Sequence, residues 1–89
     1  MAECCVRIVN KLGLHARASA KLATLANRFQ SEIALCKDGV EVNAKSIMGI
    51  MMLAAPKGSE LRIRAEGEDA EQAIKALTEL IQARFGEAE

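Results

Sequence analysis

The feature that most constrains the fold is a set of short segments in which apolar residues alternate with charged ones. In the clearest of them, Leu61, Ile63 and Ala65 alternate with Glu60, Arg62 and Arg64. This spacing gives a strand one apolar face and one polar face. The segments therefore predict a β-sheet that helices cover on one side and that water contacts on the other.

Similar patterns place the other strands and the first helix. One strand is predicted at 3–9, and a hairpin is predicted within 32–43 around an Asp38-Gly39 turn. Apolar residues that recur at every third or fourth position predict a helix over Ala16–Phe29.

Two further helices are expected. A short one is predicted over Ile47–Leu53, with Ser46 as its N-cap. A third begins at the capping pair Asp69 and Gln72 and is closed near Gly86.

The resulting order, β-α-β-β-α-β-α, predicts a single domain over residues 1–89 with a two-layer α/β architecture. The same order also suits a ferredoxin-like fold, which RNA-binding and ligand-sensing regulatory domains use. The order alone therefore leaves the function open.

Composition narrows the classes of function. Twelve basic residues balance twelve acidic ones, and Phe29 and Phe85 are the only aromatic residues. This charge balance and the scarcity of stacking side chains argue against nucleic-acid binding. No apolar run reaches the roughly 18 residues of a membrane-spanning helix, and no signal sequence is visible, so we expect a cytoplasmic protein without membrane insertion.

The three cysteines are Cys4, Cys5 and Cys36. An odd number without C-x-x-C spacing argues against a disulfide framework and against a zinc site, so no metal or cofactor is expected. We interpret these cysteines as small apolar filler residues in a reducing compartment.

The only histidine, His15, lies where a loop becomes the first predicted helix. Free backbone N–H groups and the positive end of the helix dipole at that point favour an anion such as a phosphoryl group. The same positive end disfavours the imidazolium, which leaves a neutral and nucleophilic ring. Arg17, in the same helical turn, can pair with phosphoryl oxygens. These residues predict a minimal phosphoryl-transfer site.

Two motifs indicate a family. The string from Asn10 to Arg17, NKLGLHAR, resembles the histidine site of HPr, the phosphocarrier of the bacterial phosphoenolpyruvate-dependent phosphotransferase system. The string from Lys45 to Met51, KSIMGIM, resembles the family's second signature, around its regulatory serine. Many members have proline after the arginine, where this chain has Ala18. Alanine should leave the chemistry intact, because proline there only preorganises the first helical turn.

The resemblance implies a fold and a set of partners. It implies strand order 1-4-2-3 with three helices on one face of the sheet. An enzyme I would phosphorylate His15, as a pros-phosphohistidine, and His15 would pass the group to sugar-specific acceptors. A serine kinase, HPr kinase/phosphorylase, would modify Ser46. The protein would act as a monomeric carrier and not as an enzyme.

The second helix predicts a docking surface. Ile50 and Leu53 fall on one side and are assigned to the core, while the other apolar residues fall on another side: Ile47, Met48, Met51 and Met52. A short helix on a one-sided sheet cannot bury both sides, so we expect the second group to bind partner proteins, with Ala20 and Thr24 included in the same surface.

Alternatives remain open. The histidine-arginine pair also occurs in relatives that serve nitrogen-linked regulation, although the Lys45 to Gly49 string is more typical of the branch with a phosphorylatable serine. A purely structural adaptor would explain the apolar helix but leaves His15 and Arg17 unexplained.

Overall fold

The computed structural model describes all residues from 1 to 89. Its four strands are β1 (Ala2–Arg7), β2 (Glu32–Lys37), β3 (Val40–Asn43) and β4 (Glu60–Glu66). They form one antiparallel sheet in the order β1-β4-β2-β3. The strand order implied by the family resemblance is therefore confirmed.

Three α-helices follow the predicted order: α1 (Ala16–Ala26), α2 (Ile47–Met52) and α3 (Ala70–Gln82), the last continued by a 3-10 turn at Arg84–Gly86. The inward residues of β4 are buried beneath these helices, whereas its outward residues Glu60, Arg62 and Glu66 are exposed. The helices and the inward sheet residues share one hydrophobic core. The two-layer architecture is thus confirmed. No helix combines the length and the apolar character needed to span a lipid bilayer.

Two predicted elements are longer than the observed ones. β1 ends at Arg7 and not at residue 9, and α1 ends at Ala26 and not at Phe29. The side chain of Asn27 explains the second difference, because its Nδ2 donates to the carbonyls of Ala23 (2.8 Å) and Lys45 (3.1 Å). The first bond occupies a carbonyl in the last turn of α1, and the second ties the helix end to the segment before α2.

The predicted capping pair of α3 is wrong. Asp69 is the N-cap residue, but its side chain makes no capping bond to α3. Its carboxylate instead accepts hydrogen bonds from the N–H groups of Gln30 (2.8 Å) and Ser31 (2.9 Å) and from the Ser31 hydroxyl. Asp69 therefore joins the loop before β2 to the start of α3.

The cysteines are not the buried filler that their apolar character predicts. Cys5 is exposed, and Cys4 and Cys36 are only partly buried. Cys5 and Cys36 both lie opposite Arg62, which places them on the open face of the sheet. Cys4 has the opposite side-chain direction, because side chains alternate along a strand.

Candidate functional site

The loop between β1 and α1 holds His15 in place through a buried asparagine. The side chain of Asn10 is fully buried and donates to the carbonyl of Gly13 at 2.9 Å. Gly13 has φ +67°, and a Cβ there would lie 2.4 Å from the Ala55 carbonyl oxygen, so only glycine fits. The Leu14 N–H donates to the Ala55 carbonyl at 2.9 Å. The loop is therefore fastened on both sides of Gly13.

His15 is the N-cap residue of α1, as predicted. Its backbone is extended, and its carbonyl accepts the N–H of Ser19 at 2.9 Å. The first three amides of the helix donate to no protein group, and its first turn contains no acidic residue. The helix N-terminus therefore offers free N–H donors and the positive end of its dipole to an anion.

One residue of the site was missed by sequence reasoning. Glu87 places Oε2 2.5 Å from Nε2 of His15, and its Oε1 accepts a hydrogen bond from Asn10 at 3.1 Å. The bond from His15, followed by that from Asn10, holds the pKa of the Glu87 carboxyl below its ordinary value of 4.5. A carboxylate accepts only, so Nε2 carries the ring proton. No protein group bonds Nδ1, so this ring nitrogen has no hydrogen-bond partner within the protein.

The chain end reaches the histidine through an unusual backbone. Arg84 and Phe85 have φ values of +59° and +57°, and Gly86 follows at +79°. Burial of the Phe85 ring and a 2.6 Å hydrogen bond from Lys21 to its carbonyl stabilise this left-handed segment. No residue pattern in the sequence signals such a turn, which is why the position of Glu87 could not be predicted.

Arg17 lies beside His15, as predicted. Both line a shallow depression together with Lys11, Leu12, Ala16, Glu87 and Glu89. The Arg17 side chain is exposed and has no hydrogen bond or ion pair within the protein. It is therefore free to bind an oxyanion. Leu12, a residue that sequence reasoning did not assign, is 66% exposed at the same depression.

Helix α2 has the two sides expected of it. Ile50 and Leu53 are buried, while Met48 is 76% exposed. The other three apolar residues of the outer side are also exposed: Ile47, Met51 and Met52. We call these four residues the α2 patch. Ser46 precedes them, and its Oγ accepts the N–H of Gly49 at 3.0 Å, which confirms the predicted N-cap.

Helix α2, which carries the α2 patch, runs alongside α1. At the start of α2, the Lys45 carbonyl bonds Asn27 at the end of α1. Beyond the other end of α2, Ala55 bonds Leu14 next to His15. Helices α1 and α2 are thus antiparallel, and Ser46 lies at the end of α2 that is remote from His15.

The remaining predicted surface residues lie on α1. Ala20 is partly buried and Thr24 is exposed, and both line a shallow depression that also includes Arg17. No group of three or more His, Cys, Asp or Glu side chains is placed to hold a metal ion.

Known proteins resemble this chain in sequence and in fold. Residues 2–83 match the family model described as the PTS HPr component phosphorylation site. A phosphocarrier protein HPr of Xylella fastidiosa is 53% identical over 98% of each chain, and a phosphocarrier protein NPr of Shewanella violacea is 42% identical over 93% of this chain and 91% of its own. The crystal structure of HPr-C-His from Thermoanaerobacter tengcongensis, 49% identical, covers 100% of both chains with a TM-score of 0.96. The chain belongs to the HPr family, the phosphocarriers of the phosphotransferase system.

Proposed function

We propose that His15 is the residue that carries the phosphoryl group, and that the group is bound to Nδ1. The observation that carries this proposal is the contact of Glu87 with Nε2, which directs the free electron pair of the ring to Nδ1. The free N–H groups at the start of α1 supply donors for the phosphoryl oxygens at the same place.

The transfer needs no proton to leave the ring nitrogen that attacks. The electron pair of Nδ1 forms a bond to phosphorus while the bond between phosphorus and the donor group breaks, and the donor keeps that electron pair. The positive charge that develops on the ring lies next to the Glu87 carboxylate through Nε2–H. In the second transfer a nucleophile of the acceptor forms a bond to phosphorus while the bond between phosphorus and Nδ1 breaks, and the electron pair of that bond returns to Nδ1.

Arg17 assists this transfer in our proposal. Its guanidinium is free of internal partners and lines the depression next to His15. A guanidinium binds two phosphoryl oxygens with parallel hydrogen bonds, and its charge offsets the charge of the transferred group.

Membership in the family implies partners in the phosphotransferase system. We propose enzyme I as the donor and sugar-specific components as the acceptors. The α2 patch, Ala20, Thr24 and the exposed Leu12 form the surface that these partners contact. Methionine suits such a surface, because its flexible side chain adapts to partners of different shape. The protein acts here as a cytoplasmic carrier that partner enzymes phosphorylate and dephosphorylate.

Ser46 is proposed as a regulatory phosphorylation site. A phosphate on its Oγ would lie at the N-terminus of α2 and beside the α2 patch, remote from His15 itself. Its negative charge would therefore act on His15 phosphorylation by hindering the approach of a partner, and not by direct contact with the ring.

A second candidate function is favoured by the likeness to the NPr protein of Shewanella violacea. In that case the acceptors would belong to the nitrogen-type branch. Presenting the phosphorylated protein to a sugar-type and a nitrogen-type acceptor in parallel distinguishes the two, because the cognate acceptor removes the group faster.

Radiolabelled phosphoenolpyruvate with enzyme I tests the proposal. The unmodified protein and the control Lys75→Ala, which changes an exposed residue of α3, should become labelled. His15→Ala should stay unlabelled while keeping its fold, and Arg17→Glu should be labelled much more slowly, because a carboxylate repels the incoming anion. Normal labelling of His15→Ala would refute the proposed acceptor.

A further inference from the structure

Strand β1 has a free edge. It pairs with β4 on one side and with no strand on the other. Ile8 directly follows β1, and both of its backbone groups point towards the β4 side. Its N–H donates to the Ser59 carbonyl (2.8 Å), and its carbonyl accepts the Gly58 N–H (2.8 Å). The backbone hydrogen-bonding groups of successive residues point to alternate sides of a strand. The N–H and C=O groups of Cys4 and Val6 therefore also point towards β4. The backbone groups of Glu3, Cys5 and Arg7 therefore point to the free edge.

The side chains of these three residues also form no hydrogen bond or ion pair within the protein. Glu3, Cys5 and Arg7 all project from the open face of the sheet and are exposed. Glu3 and Arg7 make no ion pair with each other or with the rest of the protein. The carbonyl of Cys5 accepts only a 3.4 Å contact from the Cys4 thiol.

The charge pattern of this edge is complementary to itself. In an antiparallel pair of two β1 strands centred on Cys5, Glu3 of each copy lies opposite Arg7 of the other. Both Cys5 residues then lie opposite each other, and all of these side chains share one face. The pairing thus forms two opposite-charge contacts and uses the backbone groups that the fold leaves free.

We propose that β1 pairs in this register with β1 of a second copy of the chain, and that a disulfide between the two Cys5 residues locks the pair. Hydrogen-bonded residues on opposite antiparallel strands have Cα atoms about 5.5 Å apart. This lies within the Cα range of disulfides, about 4.4–6.8 Å. The Cβ atoms of such a pair stand up to about 5.5 Å apart, so the bond draws the two side chains roughly 1 Å closer together and is strained and readily reduced.

Other pairings of the cysteines do not fit the fold. Cys5 and Cys36 flank the same residue of β4, Arg62, so two strand spacings separate them. Their Cα atoms are therefore roughly 10 Å apart, beyond the reach of a disulfide. Cys4 points to the opposite face of the sheet. Cys5 is the cysteine that meets its own copy across the edge.

The linkage is an oxidation and needs an oxidant such as hydrogen peroxide. The Cys5 thiolate of one copy attacks a peroxide oxygen, which gives a sulfenic acid and releases water after protonation. The Cys5 thiolate of the second copy then attacks that sulfur, the S–S bond forms, and the hydroxyl leaves as a second water. Two thiols and one peroxide thus give one disulfide and two waters. A contact of five residues is too small to hold alone, so the reduced protein stays monomeric.

Peroxide treatment of the full chain tests the linkage. Size-exclusion chromatography with light scattering should show a dimer that dithiothreitol reverses, for the unmodified protein and for Cys4→Ser and Cys36→Ser. Cys5→Ser should stay monomeric. A dimer that forms through Cys36 or Cys4 would overturn the proposal.

Charge exchange tests the strand register. Glu3→Arg alone or Arg7→Glu alone places like charges opposite each other twice, so the dimer yield in a glutathione redox buffer should fall roughly tenfold. The double variant Glu3→Arg/Arg7→Glu restores opposite charges and should restore the yield. Circular dichroism checks that each variant is folded. Equal yields for all four proteins would show an adventitious disulfide of an exposed thiol and would overturn the paired edge.

Discussion

At the scale of single residues, the site depends on a contact between two distant parts of the sequence. Glu87 binds Nε2 of His15 and is itself held by Asn10, which also fastens the loop at Gly13. The carboxylate thus selects the tautomer with the proton on Nε2. In the proposed transfer, an Nδ1 that carries no proton needs no proton shift before it attacks phosphorus.

Glu87→Gln tests this selection. An amide can donate to Nε2 as well as accept from it, so the fraction of the ring with its proton on Nδ1 should rise. Nitrogen-15 chemical shifts of the neutral ring report this fraction directly. Glu89→Gln is the matched control, because Glu89 pairs only with Lys11, through an exposed 3.6 Å contact. An unchanged tautomer in Glu87→Gln would show that the contact does not select it.

Asp69 predicts a pH dependence of stability. Hydrogen bonds, first from the Ser31 hydroxyl and then from the Gln30 amide, lower the pKa of its carboxyl from the ordinary value of 3.8. The unfolded chain therefore binds more protons than the folded one below that value, and the free energy of unfolding falls as the pH drops through the lowered pKa. The stability contribution is complete above pH 3.8.

In Asp69→Asn, the free energy of unfolding should therefore fall less steeply as the pH drops. Urea denaturation between pH 2 and pH 6 measures this slope, because the range extends about two units to either side of an ordinary carboxyl pKa. Glu68→Gln, at an exposed neighbouring position, should leave the slope unchanged. Glu87 titrates in the same direction and is present in all three proteins. Equal slopes for Asp69→Asn and the unmodified protein would contradict the role of the Ser31 bond.

At the scale of elements, the two sides of helix α2 have different predicted roles: the buried side stabilises the fold, and the exposed side is proposed to bind partners. Met48→Glu should change the free energy of unfolding by less than about 0.5 kcal/mol, since the residue is on the surface. The same change should weaken binding to enzyme I roughly tenfold in calorimetry, because a charge is desolvated in an apolar contact. Val40→Glu, at another exposed apolar residue, controls for added charge. Ile50→Ala should instead cost about 2–5 kcal/mol of stability. A large stability loss in Met48→Glu would place that residue in the core.

The N-terminus of α2 gives a separate prediction. Ser46→Ala removes the bond to Gly49 and should cost about 1 kcal/mol of stability without changing the rate at which enzyme I phosphorylates His15. Ser46→Asp keeps a capping oxygen but adds charge beside the α2 patch, so that rate should fall. Equal rates in both variants and the unmodified protein would leave Ser46 with a capping role alone.

At the scale of the whole molecule, local patterns predicted the two layers and the position of His15 at a helix N-terminus, whereas the strand order was implied only by the resemblance to the family. Alternation and helical spacing are local signals, so they locate β4 and the two sides of α2. The end of α1 was misplaced because Asn27 bonds a distant carbonyl, that of Lys45. Glu87 was missed for a similar reason: its contact with His15 requires the left-handed turn at Arg84 and Phe85, which depends on tertiary packing.

The most direct test of the account is the chemical position of the phosphoryl group in the whole protein. The chain can be labelled with nitrogen-15 at His15, phosphorylated by enzyme I and phosphoenolpyruvate, and examined by long-range proton–nitrogen correlation. The account predicts that phosphorylation shifts Nδ1 and leaves the proton on Nε2, next to Glu87. A phosphoryl group on Nε2, or on a residue other than His15, would contradict it.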